Sequence, residues 1–178
     1  MATSNLHTVM GPTAIVLHGT TSAGKSSLAQ ALQDNAEVPV FHISMDAFVQ
    51  MSRRQDMRSQ AELDQALMLH QINLCSTLQR VAASHFDIVL DLVLRDDVKF
   101  AACLEALSSR PTFVIGVHCP LEVLEVRERN RGDRASGLAR SQFGHPAYER
   151  EYSMKLDTSI ITPDEGAKLI QSFVRANI

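Results

Sequence analysis

Hydrophobic positions along the chain form five short runs, which are separated by longer and more polar segments. The runs are rich in Val and Ile and show little alternation of apolar and polar residues, as is typical of strands buried on both faces. They predict strands at residues 13–18, 39–43, 86–92, 112–118 and 158–161.

The segments between these runs carry apolar residues at three- and four-residue intervals, which is the period of an amphipathic helix. They predict helices at residues 25–33, 61–84, 98–107 and 121–129. A last helix has a clear start signal, since Thr162, Pro163 and Glu165 match an N-cap, a first-turn proline and a capping-box glutamate. Strands that alternate with helices imply right-handed crossovers, and therefore a five-stranded parallel sheet with helices on both faces.

The length of 178 residues suits one domain, here spanning residues 1–178. The chain has no internal repeat and no low-complexity tract. Two polar stretches, residues 50–60 and 131–144, interrupt the pattern and are interpreted as excursions from one core. We expect an acceptor-binding region at about 46–75 and an arginine-rich lid at about 127–144.

Composition narrows the class of protein further. The chain is 45% hydrophobic and 21% charged, with a net charge of −3, so no long-range attraction to nucleic acid or to an anionic membrane is implied. Its three cysteines lack metal-ligand spacing and indicate free thiols in a reducing compartment. No signal peptide is recognisable, and no apolar run approaches the roughly 20 residues of a membrane span. We expect a soluble, cytoplasmic protein of unassigned oligomeric state.

Residues 19–26, GTTSAGKS, match the P-loop (Walker A) pattern G-x-x-x-x-G-K-[ST], with a predicted strand before them and a predicted helix after them. In such a loop the backbone N–H groups surround the phosphates at a helix N-terminus. Lys25 would reach the β- and γ-phosphates, and the Ser26 hydroxyl would bind Mg²⁺. The residues expected to bind nucleotide are Gly19, Thr20, Thr21, Ser22, Ala23, Gly24, Lys25, Ser26, Ser27 and Arg127.

Two aspartates follow predicted strands and should lie at the carboxyl edge of the sheet, where ligands of parallel sheets bind. Asp91 could hold the metal together with Ser26, and its alternative role is a cap after the strand. Asp46 could accept the proton of an acceptor hydroxyl, and its alternative role is a helix N-cap. Which of the two is the base stays open.

The segment 127–134, RERNRGDR, is the third candidate for phosphate chemistry. Guanidinium groups match phosphate oxygens in shape and charge, and a glycine beside them suits a lid that closes over the triphosphate. Arg131 and Arg134 are the candidate catalytic arginines. The alternative is a solvated helix face with Arg–Glu and Arg–Asp pairs.

Four segments carry a resemblance to a known family. They are GTTSAGKSS, ISMDAF, IVLDLVL and GVHCPLEVLEVRERNRGDR, and together they extend over nearly the whole chain. The sequence resembles the chloramphenicol phosphotransferase-like P-loop kinases. That resemblance implies a three-layer, adenylate-kinase-like P-loop NTPase fold and the use of ATP and Mg²⁺. It also implies transfer of the γ-phosphoryl group to a hydroxyl of a small molecule, as in antibiotic inactivation, with Asp46 as the base and Arg131 and Arg134 on the phosphates.

The acceptor itself stays open. The segment after Asp46 is more basic here, with Arg53, Arg54 and Arg58, which favours an anionic acceptor and a nucleoside, nucleotide or other metabolite kinase. The alternative for these three arginines is a solvated charged loop. A nucleotide-binding module without transfer is the third alternative. The chain has no N-K-x-D motif, and no D-x-x-G follows Asp91, which argues against a GTPase switch.

Overall fold

A computed structural model describes residues 11–131 and 137–178 and is built on a five-stranded sheet. The strands follow the order β2-β3-β1-β4-β5, and every neighbouring pair is parallel. The strands are β1 (Ala14–His18), β2 (Val40–Ser44), β3 (Asp87–Leu92), β4 (Thr112–His118) and β5 (Met154–Asp157). The predicted five-stranded parallel sheet is confirmed.

Helices cover both faces of this sheet, because the central strands bury side chains in both directions. One core lies under α1, α5 and α7 and includes Leu17 and Val89, whereas the other lies under α3 and α4 and includes Val16 and Leu90. The helices are α1 (Lys25–Asp34), α2 (Met45–Val49), α3 (Gln60–Ala82), α4 (Asp97–Glu105), α5 (Leu121–Arg131), α6 (Leu138–Gln142) and α7 (Pro163–Ala176). Short 3₁₀ turns lie at Arg54–Asp56 and Pro146–Tyr148. The three-layer prediction is therefore confirmed.

Helix α7 begins where its start signal predicted. The Thr162 hydroxyl accepts the N–H of Glu165, and the Glu165 carboxylate accepts the N–H of Thr162 at 2.8 Å. This reciprocal pair is a complete capping box, with Pro163 in the first turn.

Among the described residues, none of the helices has the length and hydropathy that a membrane crossing requires.

The prediction of the fifth strand at residues 158–161 is wrong. Strand β5 ends at Asp157 and pairs with β4, with Met154 opposite Ile115 and Asp157 opposite His118. Residues 158–161 form the turn that follows, in which Ser159 donates both its N–H and its hydroxyl to the Asp157 carboxylate. The apolar pair at 160–161 caused the error, since Ile160 is in fact 79% exposed.

Two short helices occur where the apolar pattern predicted none. Helix α2 follows β2 directly with Ser44 as its N-cap residue, so Asp46 lies in the first turn and is not the cap. Helix α6 forms inside the stretch 131–144, which the sequence indicated as a loop. Each helix has five residues, which is too short to display a 3.6-residue period.

Candidate active site

The loop between β1 and α1 needs its two glycines for different reasons. Gly24 has φ +90°, a left-handed conformation that other residues rarely adopt. At Gly19 the limit is space, since a Cβ there would lie 2.2 Å from the carbonyl oxygen of Val117 in β4. The first glycine therefore allows the loop to pass close to β4, and the second allows it to turn into α1.

Lys25 begins α1, and its side chain is folded back into the loop. It is only 5% exposed, and its Nζ donates to the Thr20 carbonyl at 2.7 Å and lies 3.9 Å from Asp91 Oδ1. The first-turn N–H groups of a helix have no intrahelical acceptors and carry partial positive charge. A buried ammonium beside these N–H groups makes the loop suited to an anionic ligand.

Two further hydroxyls support the same conclusion. Thr21 Oγ1 and Ser22 Oγ are buried and have no hydrogen-bond partner within the described part of the chain. Buried polar groups usually find a partner, so unpaired hydroxyls in the loop are what a polar ligand would satisfy. The residues of the loop therefore fit the phosphates of a nucleotide.

Ser26 and Asp91 meet at the carboxyl edge of the sheet. The Ser26 hydroxyl donates to Asp91 Oδ2 at 2.6 Å, although the two residues lie 65 positions apart. Strand β3 brings them together, since Asp91 lies opposite Leu17 of β1 and Ser44 of β2. A hydroxyl and a buried carboxylate are hard oxygen donors of the kind that Mg²⁺ prefers, so this pair fits the ion.

A cavity of about 360 Å³ opens at this edge and unites most of the predicted site. Asp46 lies on its α2 side, Lys25 and Asp91 line its floor, and the end of α5 lines another side. Asp46 is half-buried there. The lining residues from the predicted set are Thr21, Ser22, Gly24, Lys25, Ser26, Ser27, Asp46, Asp91, Arg127 and Arg131.

Other predicted residues lie elsewhere. Gly19, Thr20 and Ala23 belong to the loop but do not line the cavity, and Thr20 and Ala23 are buried. Arg134 lies outside the described residues. The region 46–75 is described throughout and contributes only Asp46 to the cavity lining.

The three arginines that favoured an anionic acceptor do not reach this cavity. Arg53, Arg54 and Arg58 are exposed, and Arg53 pairs with Asp56 at 2.9 Å. An exposed ion pair of this kind contributes little and indicates a solvated surface. The structure therefore gives these arginines no contact with the described cavity.

Sequence reasoning gave no site role to Thr158, which fixes the position of Arg127. The guanidinium of Arg127 donates to Thr158 Oγ1 at 2.9 Å and to the Thr158 carbonyl at 2.7 Å. The Thr158 hydroxyl in turn donates to the carbonyl of Ala23 in the loop at 2.7 Å. The mistaken strand at 158–161 concealed this contact, which links α5 to the loop between β1 and α1.

Sequence reasoning also missed His18, the last residue of β1. Its Nε2 lies 2.7 Å from the Leu94 carbonyl, which can only accept, so Nε2 carries the proton and Nδ1 accepts the Tyr152 hydroxyl at 2.9 Å. Burial lowers the pKa of His18 to about 4. Because the neutral ring makes both bonds, His18 is a fixed support directly before the loop.

Comparison with solved structures shows the fold. A candidate kinase from Chloroflexus aurantiacus matches with a TM-score of 0.71 and 17% identity, covering 96% of this chain and 100% of that chain. The APS kinase of Mycobacterium tuberculosis, in complex with AMPPNP and APS, matches with a TM-score of 0.68 and 14% identity, covering 93% of this chain and 98% of that chain. A shikimate kinase from Acinetobacter baumannii, in complex with shikimate, matches with a TM-score of 0.65 and 14% identity, covering 92% of this chain and 93% of that chain. At these identities the likeness concerns the fold.

Comparison with protein families shows the relationship of the sequence. No curated protein sequence matches the chain significantly. The family model of the chloramphenicol phosphotransferase-like proteins matches residues 12–175. Family and fold together are those of a kinase-type phosphotransferase. Because the matched region includes the loop, both aspartates and α5, we conclude that the chain belongs to the chloramphenicol phosphotransferase-like family.

Proposed function

We propose that the protein is an ATP-dependent O-phosphotransferase, which transfers the γ-phosphoryl group to a hydroxyl of a small molecule. The observation that carries this proposal is the cavity in which Asp46 and the phosphate-binding loop line the same space of about 360 Å³. A carboxylate and a phosphate cradle in one cavity are the two parts that transfer to an alcohol needs. We expect ATP and a small acceptor to be the partners, with no role for nucleic acid or membrane.

Phosphoryl transfer spreads negative charge over the moving group, so positioned cations lower its barrier. Lys25 would act on the β- and γ-phosphates from within the loop. Arg127 would contribute a guanidinium that Thr158 already holds in place. We assign Arg131 and Arg134 to the lid at about 127–144, where they would bind the phosphates as the lid closes.

Asp46 is the better of the two candidates for the base. Asp91 hydrogen-bonds Ser26 and lies near Lys25, which ties its carboxylate to the loop. Asp46 enters the cavity from α2, on the side of the proposed acceptor region at about 46–75. It would accept the hydroxyl proton and orient the acceptor oxygen toward the γ-phosphorus.

Asp46→Asn tests this role, because it removes the base while nearly preserving the shape of the side chain. We expect transfer to fall by about 10²-fold or more while ATP binding stays within about twofold. Turnover with labelled ATP and nucleotide titration measure the two quantities separately. Full transfer by Asp46→Asn would exclude Asp46 as the base.

Ser26 and Asp91 would hold Mg²⁺ beside the phosphates. Within the described ranges no group of three His, Cys, Asp or Glu side chains could bind a metal. That finding is consistent with Mg²⁺ sites that use one or two protein oxygens together with phosphate and water. The ion would neutralise charge on the phosphates.

We expect Asp91→Asn to raise the Mg²⁺ concentration needed for half-maximal turnover, and an unchanged Mg²⁺ titration would contradict this assignment.

The acceptor is best identified with a panel that includes chloramphenicol, neutral sugars and alcohols, nucleosides and anionic metabolites. We expect neutral alcohols to be preferred, because the three exposed arginines do not line the cavity. Preference for an anionic acceptor would support the alternative of a nucleotide or metabolite kinase. Tight ATP binding without transfer to any acceptor would instead support a nucleotide-binding module.

A further inference from the structure

One backbone N–H of the phosphate-binding loop is held by a distant helix. The Thr21 N–H donates to Gln142 Oε1 at 2.7 Å, although the residues lie 121 positions apart. Both residues are buried, with 1% of Thr21 and 6% of Gln142 exposed. Gln142 is the last residue of α6, and α6 belongs to the segment that we assign to the lid.

Helix α6 is in turn anchored on α5 at its opposite end. The buried carboxylate of Glu128 accepts the N–H of Gly137 at 2.8 Å and the N–H of Ala139 at 2.7 Å. Arg140 adds a more exposed ion pair with Glu125 of α5 at 2.7 Å. These bonds hold the start of α6 on α5, and Gln142 lies at the other end of the same helix.

We infer that Gln142 is a positioning residue for the phosphate-binding loop, and that it makes the nucleotide-binding conformation of the loop depend on the docking of α6 to α5. The inference rests on the proposed binding of ATP to this loop. It adds a residue that does not line the cavity, and it names the route by which α5, α6 and the loop would be coupled.

The physical reason is the cost of a buried N–H without an acceptor. If Gln142 cannot accept, the loop relieves that cost in the nucleotide-free protein by shifting the Thr21 peptide toward water. Nucleotide binding then requires the loop to return to its present conformation with the N–H unpaired. The loss therefore appears in nucleotide affinity, whereas a purely structural glutamine would affect only stability.

Gln142→Met tests the inference, because methionine has a similar length but is a weak acceptor. We expect the Kd of a fluorescent ATP analogue to rise about tenfold. The KM for ATP should rise in parallel while kcat changes less than about twofold, since the loop would bind ground state and transition state alike. Gln142→Asn, which keeps the amide but is one methylene shorter, should behave in the same way and covers the case that the methionine variant does not fold.

Gln171→Met is the matched control. Gln171 also forms a long-range amide hydrogen bond, since its Nε2 donates to the Asn35 carbonyl at 3.1 Å from α7. It lies outside the cavity lining. We expect this variant to lose stability while keeping the nucleotide affinity of the unmodified protein.

The route through α6 is tested by Glu128→Gln and the double variant with Gln142→Met. If both residues act on the loop through one path, their effects on nucleotide Kd are not additive, and the Kd of the double variant is about that of the single variant that binds nucleotide more weakly.

Unmodified protein that binds no ATP would refute the proposed function itself. Unmodified protein that binds ATP, with Gln142 variants that bind it equally well, would refute this inference alone.

Discussion

The imidazole of His18 shows how a single residue is decided by its surroundings. The ring is fully buried between Phe100 and Tyr148, with centroid distances of 4.7 and 5.2 Å, and its two nitrogens are bonded to Leu94 and Tyr152. Burial lowers its pKa to about 4, and Arg150 and Lys25 act in the same direction. A histidine with an ordinary exposure would instead titrate near 6.5.

This pKa predicts a pH-dependent stability. Between about pH 6.5 and pH 4, His18 is protonated in the unfolded chain but stays neutral in the folded protein. Acid therefore stabilises the unfolded chain, and the free energy of unfolding falls as the pH falls through this window. The loss should reach up to about 3 kcal/mol at its acid end. Urea unfolding between pH 4 and pH 7.5 measures it.

His18→Gln is the control for this measurement, because glutamine can donate to the Leu94 carbonyl and accept from Tyr152. The variant should lose the part of the slope that His18 contributes. His42 and His118, whose pKa values burial also lowers, remain in both proteins. Identical slopes in the two proteins would contradict the assignment to His18.

Gly19→Ala is predicted to destabilise the fold by roughly 1–3 kcal/mol. The added Cβ would meet the Val117 carbonyl oxygen at 2.2 Å, and a backbone atom cannot rotate away as a side chain can. Gly11→Ala is the matched control, since a Cβ there meets nothing within 4 Å. The urea midpoint of Gly19→Ala should lie clearly below that of Gly11→Ala. Equal midpoints would show that the backbone of β4 moves away from the added Cβ at little cost, and would contradict the prediction.

At the scale of elements, the carboxyl end of α3 depends on one arginine from outside the helix. Arg110 lies just before β4 and is 7% exposed. Its guanidinium donates to the carbonyls of Val81 and Ala82 in the helix and to those of Ser84 and Phe86 in the turn that follows. The Ala82 carbonyl lies in the last turn, where carbonyls lack intrahelical donors, and the charge of the guanidinium complements the negative end of the helix dipole.

Arg110→Met should therefore lower the free energy of unfolding by roughly 2–4 kcal/mol, because the carbonyls of Ala82, Ser84 and Phe86 lose a charged donor. Arg80→Met is the matched control, since Arg80 lies exposed in the last turn of the same helix. We expect that variant to stay within about 0.5 kcal/mol of the original protein. Chemical denaturation of both variants gives the comparison, and similar losses in the two would refute the role of Arg110.

At the scale of the whole molecule, the order β2-β3-β1-β4-β5 determines which residues can meet. The loop after β1 lies between β3 and β4, so Asp91 comes to one side of it and Val117 to the other. Asp46 reaches the same edge from β2, which is next to β3. The sheet thus brings Asp46, Asp91 and the loop to one cavity.

A nucleotide that binds only the folded protein, as we propose, should raise the thermal midpoint of the whole molecule. An ATP analogue with Mg²⁺ at about one hundred times its Kd contributes about 2.7 kcal/mol, which corresponds to roughly 5–10 °C for a domain of this size. Lys25→Ala should abolish most of this shift. Lys168→Ala removes an exposed lysine from α7 and should keep it. An equal shift in all three proteins would exclude binding at the loop.

The sequence by itself determined the features that depend on local order. Unbroken apolar runs predicted four of the five strands, the pattern GTTSAGKS predicted a glycine-rich loop between β1 and α1, and the start of α7 followed from three signals at Thr162, Pro163 and Glu165. These succeed because burial on both faces, loop geometry and capping each leave a signal within a few neighbouring residues. The edge strand β5 was misplaced because it is short and polar on one side, which weakens that signal.

Only the tertiary structure decided which distant residues act together. The contacts of Arg127 with Thr158 and of Thr21 with Gln142 join residues 31 and 121 positions apart. No local pattern encodes such a partner, because it depends on strand order and on how the helices pack across the sheet. The sequence therefore indicated a glycine-rich loop with Asp46 and Asp91 at the same edge of the sheet, whereas the fold decided that Thr158 holds Arg127 and that α6 supports the loop.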